Sequence, residues 1–97
     1  MTLSELRDST KQAEPPAGLA PALLALWHDA RGDWKTAHAT AQDIDDPAGA
    51  WIHAYLHRKE GDLANAGYWY RRAGRPEARD GLDAEWERIA AALVSRL

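Results

Sequence analysis

Residues 51–76 read WIHAYLHRKEGDLANAGYWYRRAGRP. The stretch is punctuated as two helices. Trp51, Ile52, Ala54, Tyr55 and Leu56 wrap most of one circumference, which predicts a central, largely buried helix from Pro47 to about Glu60. Gly61-Asp62 stops that helix and caps the next. Leu63, Ala66, Tyr70 and Ala73 then recur at one helical face, and Gly74-Arg75-Pro76 ends it. An offset of 29 residues brings the pattern back upstream. Ala25 falls on Ala54, His28 on His57, Gly32 on Gly61, Asp33 on Asp62, Ala37 on Ala66 and Pro47 on Pro76. The stripe Trp34, Ala37, Ala41, Ile44 maps onto Leu63, Ala66, Tyr70, Ala73.

The segments ARGDWKTA (30–37) and KEGDLANA (59–66) carry the turn, and DDP (45–47) and GRP (74–76) carry the close. This arrangement resembles the tetratricopeptide-repeat family, whose unit pairs two helices about such a turn and ends in proline. The resemblance covers residues 20–76, with a period of 29 in place of the usual 34. It implies helical hairpins over 20–45 and 47–75, and flanking helices that cap a repeat too short to stand alone. The stretch 51–76 also resembles the signature of a small family of short proteins of uncharacterised function, which implies no chemistry.

Outward from the repeat, Thr2 and Glu5 fit a capping box and predict a helix over 3–13, closed by Pro15 and Pro16. Pro21 suits a first helical turn and opens a helix to about Arg31; Asp33 caps another from Trp34 to Ile44. At the other end Leu82, Trp86, Ile89, Ala90, Leu93, Val94 and Leu97 form one stripe, predicting a helix over 83–96. Asp83, Glu85 and Glu87 near its start suit the positive end of the helix dipole. The expected architecture is all-α: a single domain over 1–97, with about six helices. Twenty alanines against one valine and three isoleucines leave little material for a sheet.

Composition removes several classes of function. The chain has no cysteine, hence no disulfide framework, iron–sulfur cluster or cysteine nucleophile. Its net charge of −3 disfavours nucleic acid as a partner. The longest uncharged apolar stretch, Pro15–His28, is interrupted by prolines and too short for a bilayer, so no membrane partner is expected. The first residues have no apolar run behind a basic end, so a cytoplasmic location is expected.

Four groups of residues are candidates for function. Trp51, Tyr55 and Arg58 fall at i, i+4 and i+7 on the helix that lines the concave side of a tetratricopeptide-type fold. The family's peptide-terminus clamp uses Asn and Lys there, so that ligand is not implied. Trp69, with Tyr68, is either core beneath the last helix or an open recognition surface. Arg72, among Arg71, Arg75 and Arg79, either serves an acidic or phosphate-bearing partner or offsets the carbonyl end of its own helix. His53 and His57, at i and i+4 with Glu60 at i+7, have the spacing of metal ligands; His28 or Asp29 are the further ligands within reach. Ala54 stands where the zincin motif needs glutamate, so metalloprotease chemistry is not supported. The structural expectation for both histidines is packing, with their rings bonded to backbone carbonyls or carboxylates and no metal or other cofactor. No serine triad, phosphate loop or paired carboxylates can be assembled. The sequence therefore favours a protein- or peptide-binding module over an enzyme, with a metal- or small-ligand-binding protein centred on His53, His57 and Glu60 as the alternative. A homo-oligomer stays open.

Overall fold

The structure, a computed structural model, describes residues 1–96. Six helices and no strands make it up: α1 (Leu3–Ser9), α2 (Pro21–Ala30), α3 (Trp34–Gln42), α4 (Pro47–Lys59), α5 (Leu63–Ala73) and α6 (Leu82–Val94). The all-α bundle expected from the periodicity is what forms. Helices α2–α3 and α4–α5 are the two tightest pairs, α3 packs on α4, and α6 lies across α4 and α2 with α1 against it. No helix among the described residues is long and apolar enough to cross a membrane.

The two Gly-Asp turns have one geometry. Gly32 and Gly61 adopt φ of 80° and 89°, a left-handed conformation that glycine takes without a Cβ penalty. Asp33 N–H then donates to the His28 carbonyl at 3.0 Å, and Asp62 N–H to the His57 carbonyl at 2.9 Å. Each aspartate turns its side chain forward to cap the next helix: Asp33 accepts from Thr36 N, Asp62 from Asn65 N. The offset of 29 thus has a physical counterpart in backbone hydrogen bonds, donor for donor. Asp46 caps α4 through Gly49 N at 2.9 Å, with Pro47 in the first turn. A Cβ on Gly49 would stand 2.3 Å from the Ile44 carbonyl oxygen, so the tight α3–α4 passage requires glycine there.

Some boundaries differ from the sequence expectation. Helix α1 stops at Ser9 and not at Ala13. The hydroxyls of Ser9 and Thr10 take the carbonyls of Leu6 and Arg7, each at 2.6 Å, and Trp27 Nε1 claims the Ser9 carbonyl. Short polar side chains thereby compete with the helical ladder before either proline is reached. Helix α3 stops at Gln42, two residues before Ile44, and α6 runs from Leu82 to Val94 and not over 83–96. Of the expected apolar stripe, Leu97 lies outside the described residues.

Helix α4 is buried along its whole length from Ala48 to His57, as a central helix must be. Alanines mark the places where its neighbours approach closely: Ala25, Ala37, Ala54 and Ala90 are each fully buried, and Ala66 nearly so. Helix α6 is locked onto this core by a carboxylate. Glu85 has no exposed surface. It accepts from Tyr70 Oη at 2.6 and 2.8 Å, from Arg58 Nη1 at 2.8 Å and from Trp51 Nε1 at 3.3 Å. Glu85 had read as a dipole-side acid at the start of α6; the structure instead turns it inward, where an arginine and two ring donors meet its charge. On α2 the Trp86 indole donates to the Leu26 carbonyl at 3.0 Å, and at the surface Arg7 pairs with Glu87.

Two substitutions test this packing by urea unfolding. Ala54→Leu should destabilise by ~1–3 kcal/mol through overpacking. Glu85→Ala should cost about 3 kcal/mol or more, because it strands Arg58 and two buried ring donors without their acceptor. An unchanged midpoint in either variant would show that its site is not the crossing, or not the lock, described above.

Candidate functional site

The first surprise lies on α4. Trp51 and Tyr55, expected on an open concave face, are 4% and 2% exposed, and the Arg58 side chain is 15% exposed. Helix α6 occupies the space that a peptide groove would need. Trp51 and Arg58 are committed to Glu85, and Arg58 also donates to the Asp80 carbonyl. Tyr55 Oη donates to Asp29 at 2.8 Å, whose other oxygen takes Lys59 Nζ at 2.9 Å. Burial, then the Asp29 carboxylate beside it, pushes the Tyr55 hydroxyl well above its ordinary range, so it stays protonated. These three residues hold the bundle together and do not form a free surface.

The opposite side of α4 is different. His53 and His57, one turn apart, point into the notch between α3 and α5. A third imidazole, His38, meets them from α3. His38 Nε2 and His53 Nε2 are 2.9 Å apart, so one carries the proton and the other accepts it. His57 Nδ1 bonds the Glu60 carboxylate at 2.7 Å. One ring nitrogen from each of the three histidines lies within 4.8 Å of the others. Two indoles flank the group: Trp34 stacks on His38 at 4.8 Å between centroids, and Trp69 on His53 at 4.0 Å. Trp34 is held in turn by its Nε1 donating to the Leu56 carbonyl at 2.9 Å.

The expectation for the histidines holds in part. His57 is bonded to a carboxylate as expected, and Glu60 is on its face. His53 is bonded neither to a carbonyl nor to a carboxylate but to another imidazole. The further members expected from α2 are elsewhere: His28 packs edge-on against Trp27, and Asp29 is tied to Tyr55 and Lys59. His38 is the residue the sequence reading passed over. It sits beside Ala37 of the buried α3 stripe and one turn after Trp34, and that i, i+4 pairing with an aromatic was the signal available.

Trp69 is covered by His53 and not by Trp86, while Tyr68 is 44% exposed. Arg72 donates to Tyr68 Oη at 3.2 Å and stands over the Tyr68 and Trp69 rings at 5.8 and 5.4 Å. Arg75 lies over the Trp51 ring at 3.5 Å. Two of the cluster's arginines are therefore engaged with aromatics, and Trp69 and Arg72 border the histidine notch.

No protein-family model, curated protein or solved structure matches this chain. The site has to be read from its own chemistry.

Burial, then the neighbouring His38 and His57 rings, lowers the His53 pKa from 6.5 to about 4. The His38 pKa is lowered as well, by burial and then by His57, with Glu60 acting in the opposite direction. The His38 and His53 rings are therefore neutral near pH 7. The unfolded chain takes up protons below about 6.5 that the folded chain refuses until about 4. Stability should thus be level above pH 7, fall as pH drops from about 6.5 towards 4, and level off again in this contribution below. The loss from His53 is on the order of 2–3 kcal/mol. Urea unfolding across that range checks it, and His53→Phe should flatten the dependence; an unchanged slope in that variant would remove His53 as the cause.

Proposed function

We propose that this chain is a tetratricopeptide-like binding module whose ligand site is the notch between α3, α4 and α5. His38, His53 and His57 form its centre, with Trp34, Trp69 and the Tyr68–Arg72 pair around it. Binding, not turnover, is the proposed activity. A protein or peptide partner, if that is the ligand, reaches the chain on this face, since α6 closes the concave one.

The observation that supports this reading is that two of the imidazoles, His38 and His53, are paired with each other, with His57 beside them. Other buried polar groups have complementary partners: Glu85 has an arginine, a tyrosine and an indole, and Asp29 has a lysine and a tyrosine. The notch instead sets His38 against His53, where burial and then the neighbouring rings disfavour the protonation of both. Apolar side chains of similar volume would fill the space without that penalty. A local cost of this kind, beside a partly open surface, is characteristic of sites kept for binding.

Native mass spectrometry of untagged protein, isolated without chelator from the organism that makes it, tests the reading. A species heavier than the 10.7 kDa chain should be present. It should persist in Arg88→Ala, on the far side of α6, and disappear in His53→Ala or in the milder His38→Ala, with helical circular dichroism retained. A bare chain in the wild type, or an adduct indifferent to the histidine variants, would overturn it.

A further inference from the structure

We infer that His38, His53 and His57 form a three-imidazole site for one divalent transition-metal ion of the zinc, cobalt, nickel and copper group. This rests on the notch being the binding site, and goes on to name what binds there.

The donor set comes first. Three imidazoles and no carboxylate among them suit this group of ions and not magnesium or calcium, which require oxygen ligands. The second cluster nearby, His57 with Glu60 and Asp62, is a poorer candidate, because the Asp62 carboxylate is spent capping Asn65 N and holding the Asn65 amide.

The spacing agrees with the donors. Imidazole nitrogens at 2.0–2.1 Å from an ion stand about 2.8–3.0 Å apart in octahedral and about 3.3–3.4 Å apart in tetrahedral geometry. His38 and His53 face each other at 2.9 Å through Nε2, and each of the three rings places a nitrogen within 4.8 Å of the others. A closer approach of the His57 ring completes the triangle. The proton shared between His38 and His53 is the group an ion would replace.

The surrounding residues supply the rest. His57 is bonded to Glu60 through Nδ1, so Nε2 is the nitrogen it would offer to an ion. A histidine held by a carboxylate through its second nitrogen is the usual support of a metal ligand, fixing tautomer and ring orientation. Glu60 is therefore a positioning residue. His53 and His57 sit one turn apart on the most buried helix of the bundle, so their relative placement is rigid. Trp34 and Trp69 hold the other rings face-on. Burial keeps His38 and His53 unprotonated at neutral pH, so an ion would not compete with protons for them. Three protein ligands also leave a further coordination position, which a water molecule or a group from outside takes.

Titration of untagged, chelator-treated and desalted protein with zinc or cobalt chloride tests the inference. One ion per chain should bind in a saturable step, with a visible cobalt d–d band and a melting temperature that rises with ion concentration. His38→Ala should abolish the step. It removes a partly exposed side chain on α3, so the fold is expected to survive, whereas His53→Ala empties a buried position. Glu60→Gln should keep the stoichiometry and weaken binding about 10- to 100-fold. No one-to-one binding by the wild type, or full affinity in His38→Ala, would overturn the metal assignment. An organic or protein adduct in native mass spectra, lost with the same histidines, would overturn the metal while leaving the notch as the binding site.

Discussion

The carboxylate of Glu85 is the constraint on which the arrangement depends. A carboxylate with no exposed surface must have its charge met, and among the described residues the donors that reach it come from α4 and α5: Trp51, Arg58 and Tyr70. Burial, and the hydrogen bond and charge of Glu85, push the Tyr70 hydroxyl above its ordinary range, so it remains a donor. Satisfying one ion thus sets the position of α6 against the second hairpin. An apolar contact would tolerate sliding, whereas three directed donors on one carboxylate do not. The stabilising value of such a buried ion pair over a hydrophobic equivalent is small; what it adds here is a defined register.

That register decides which face of the repeat is available. In an open solenoid the first helix of each pair would present Trp51, Tyr55 and Arg58 to a ligand. Here those side chains are satisfied internally, so the chain is a closed bundle made from repeat-like parts. Availability passes to the edge where α3 and α5 flank α4, and there His38 and His53 are paired with each other. The two sides of α4 therefore differ in electrostatics: on one, a charge with complementary donors; on the other, two facing bases kept neutral by burial and then by their neighbouring rings.

Much of this was legible in the chain. Helix number, the two glycine turns with their aspartate caps and the central place of α4 follow from local rules, in which residues three or four apart share a face and glycine alone accepts φ near 80° without penalty. The pairing of His57 with Glu60 lies on one helix and was equally readable. What was not readable depends on which helix faces which. Periodicity marks Trp51 and Tyr55 as apolar or amphipathic but cannot distinguish burial under α6 from a ligand groove. Glu85, one residue before Trp86, has a sequence context identical to that of a solvated acid. His38 is separated from His53 by 15 residues and a turn. Its role exists only once α3 and α4 are laid side by side, a distance that Gly49 permits.

The late position of α6 in the chain has a consequence for how the protein is made. Hairpins α2–α3 and α4–α5 are built from contacts close in sequence, which form early in folding and during synthesis. The bonds of α6 bridge 34 residues to Trp51, 27 to Arg58 and 60 to Leu26. Until that helix leaves the ribosome, the aromatic side of α4 has nothing to cover it, while the histidine side already has both of its neighbours. The nascent chain thus passes through an interval in which its histidine edge is assembled and its core is still open to other hydrophobic surfaces, and docking of α6 ends that exposure.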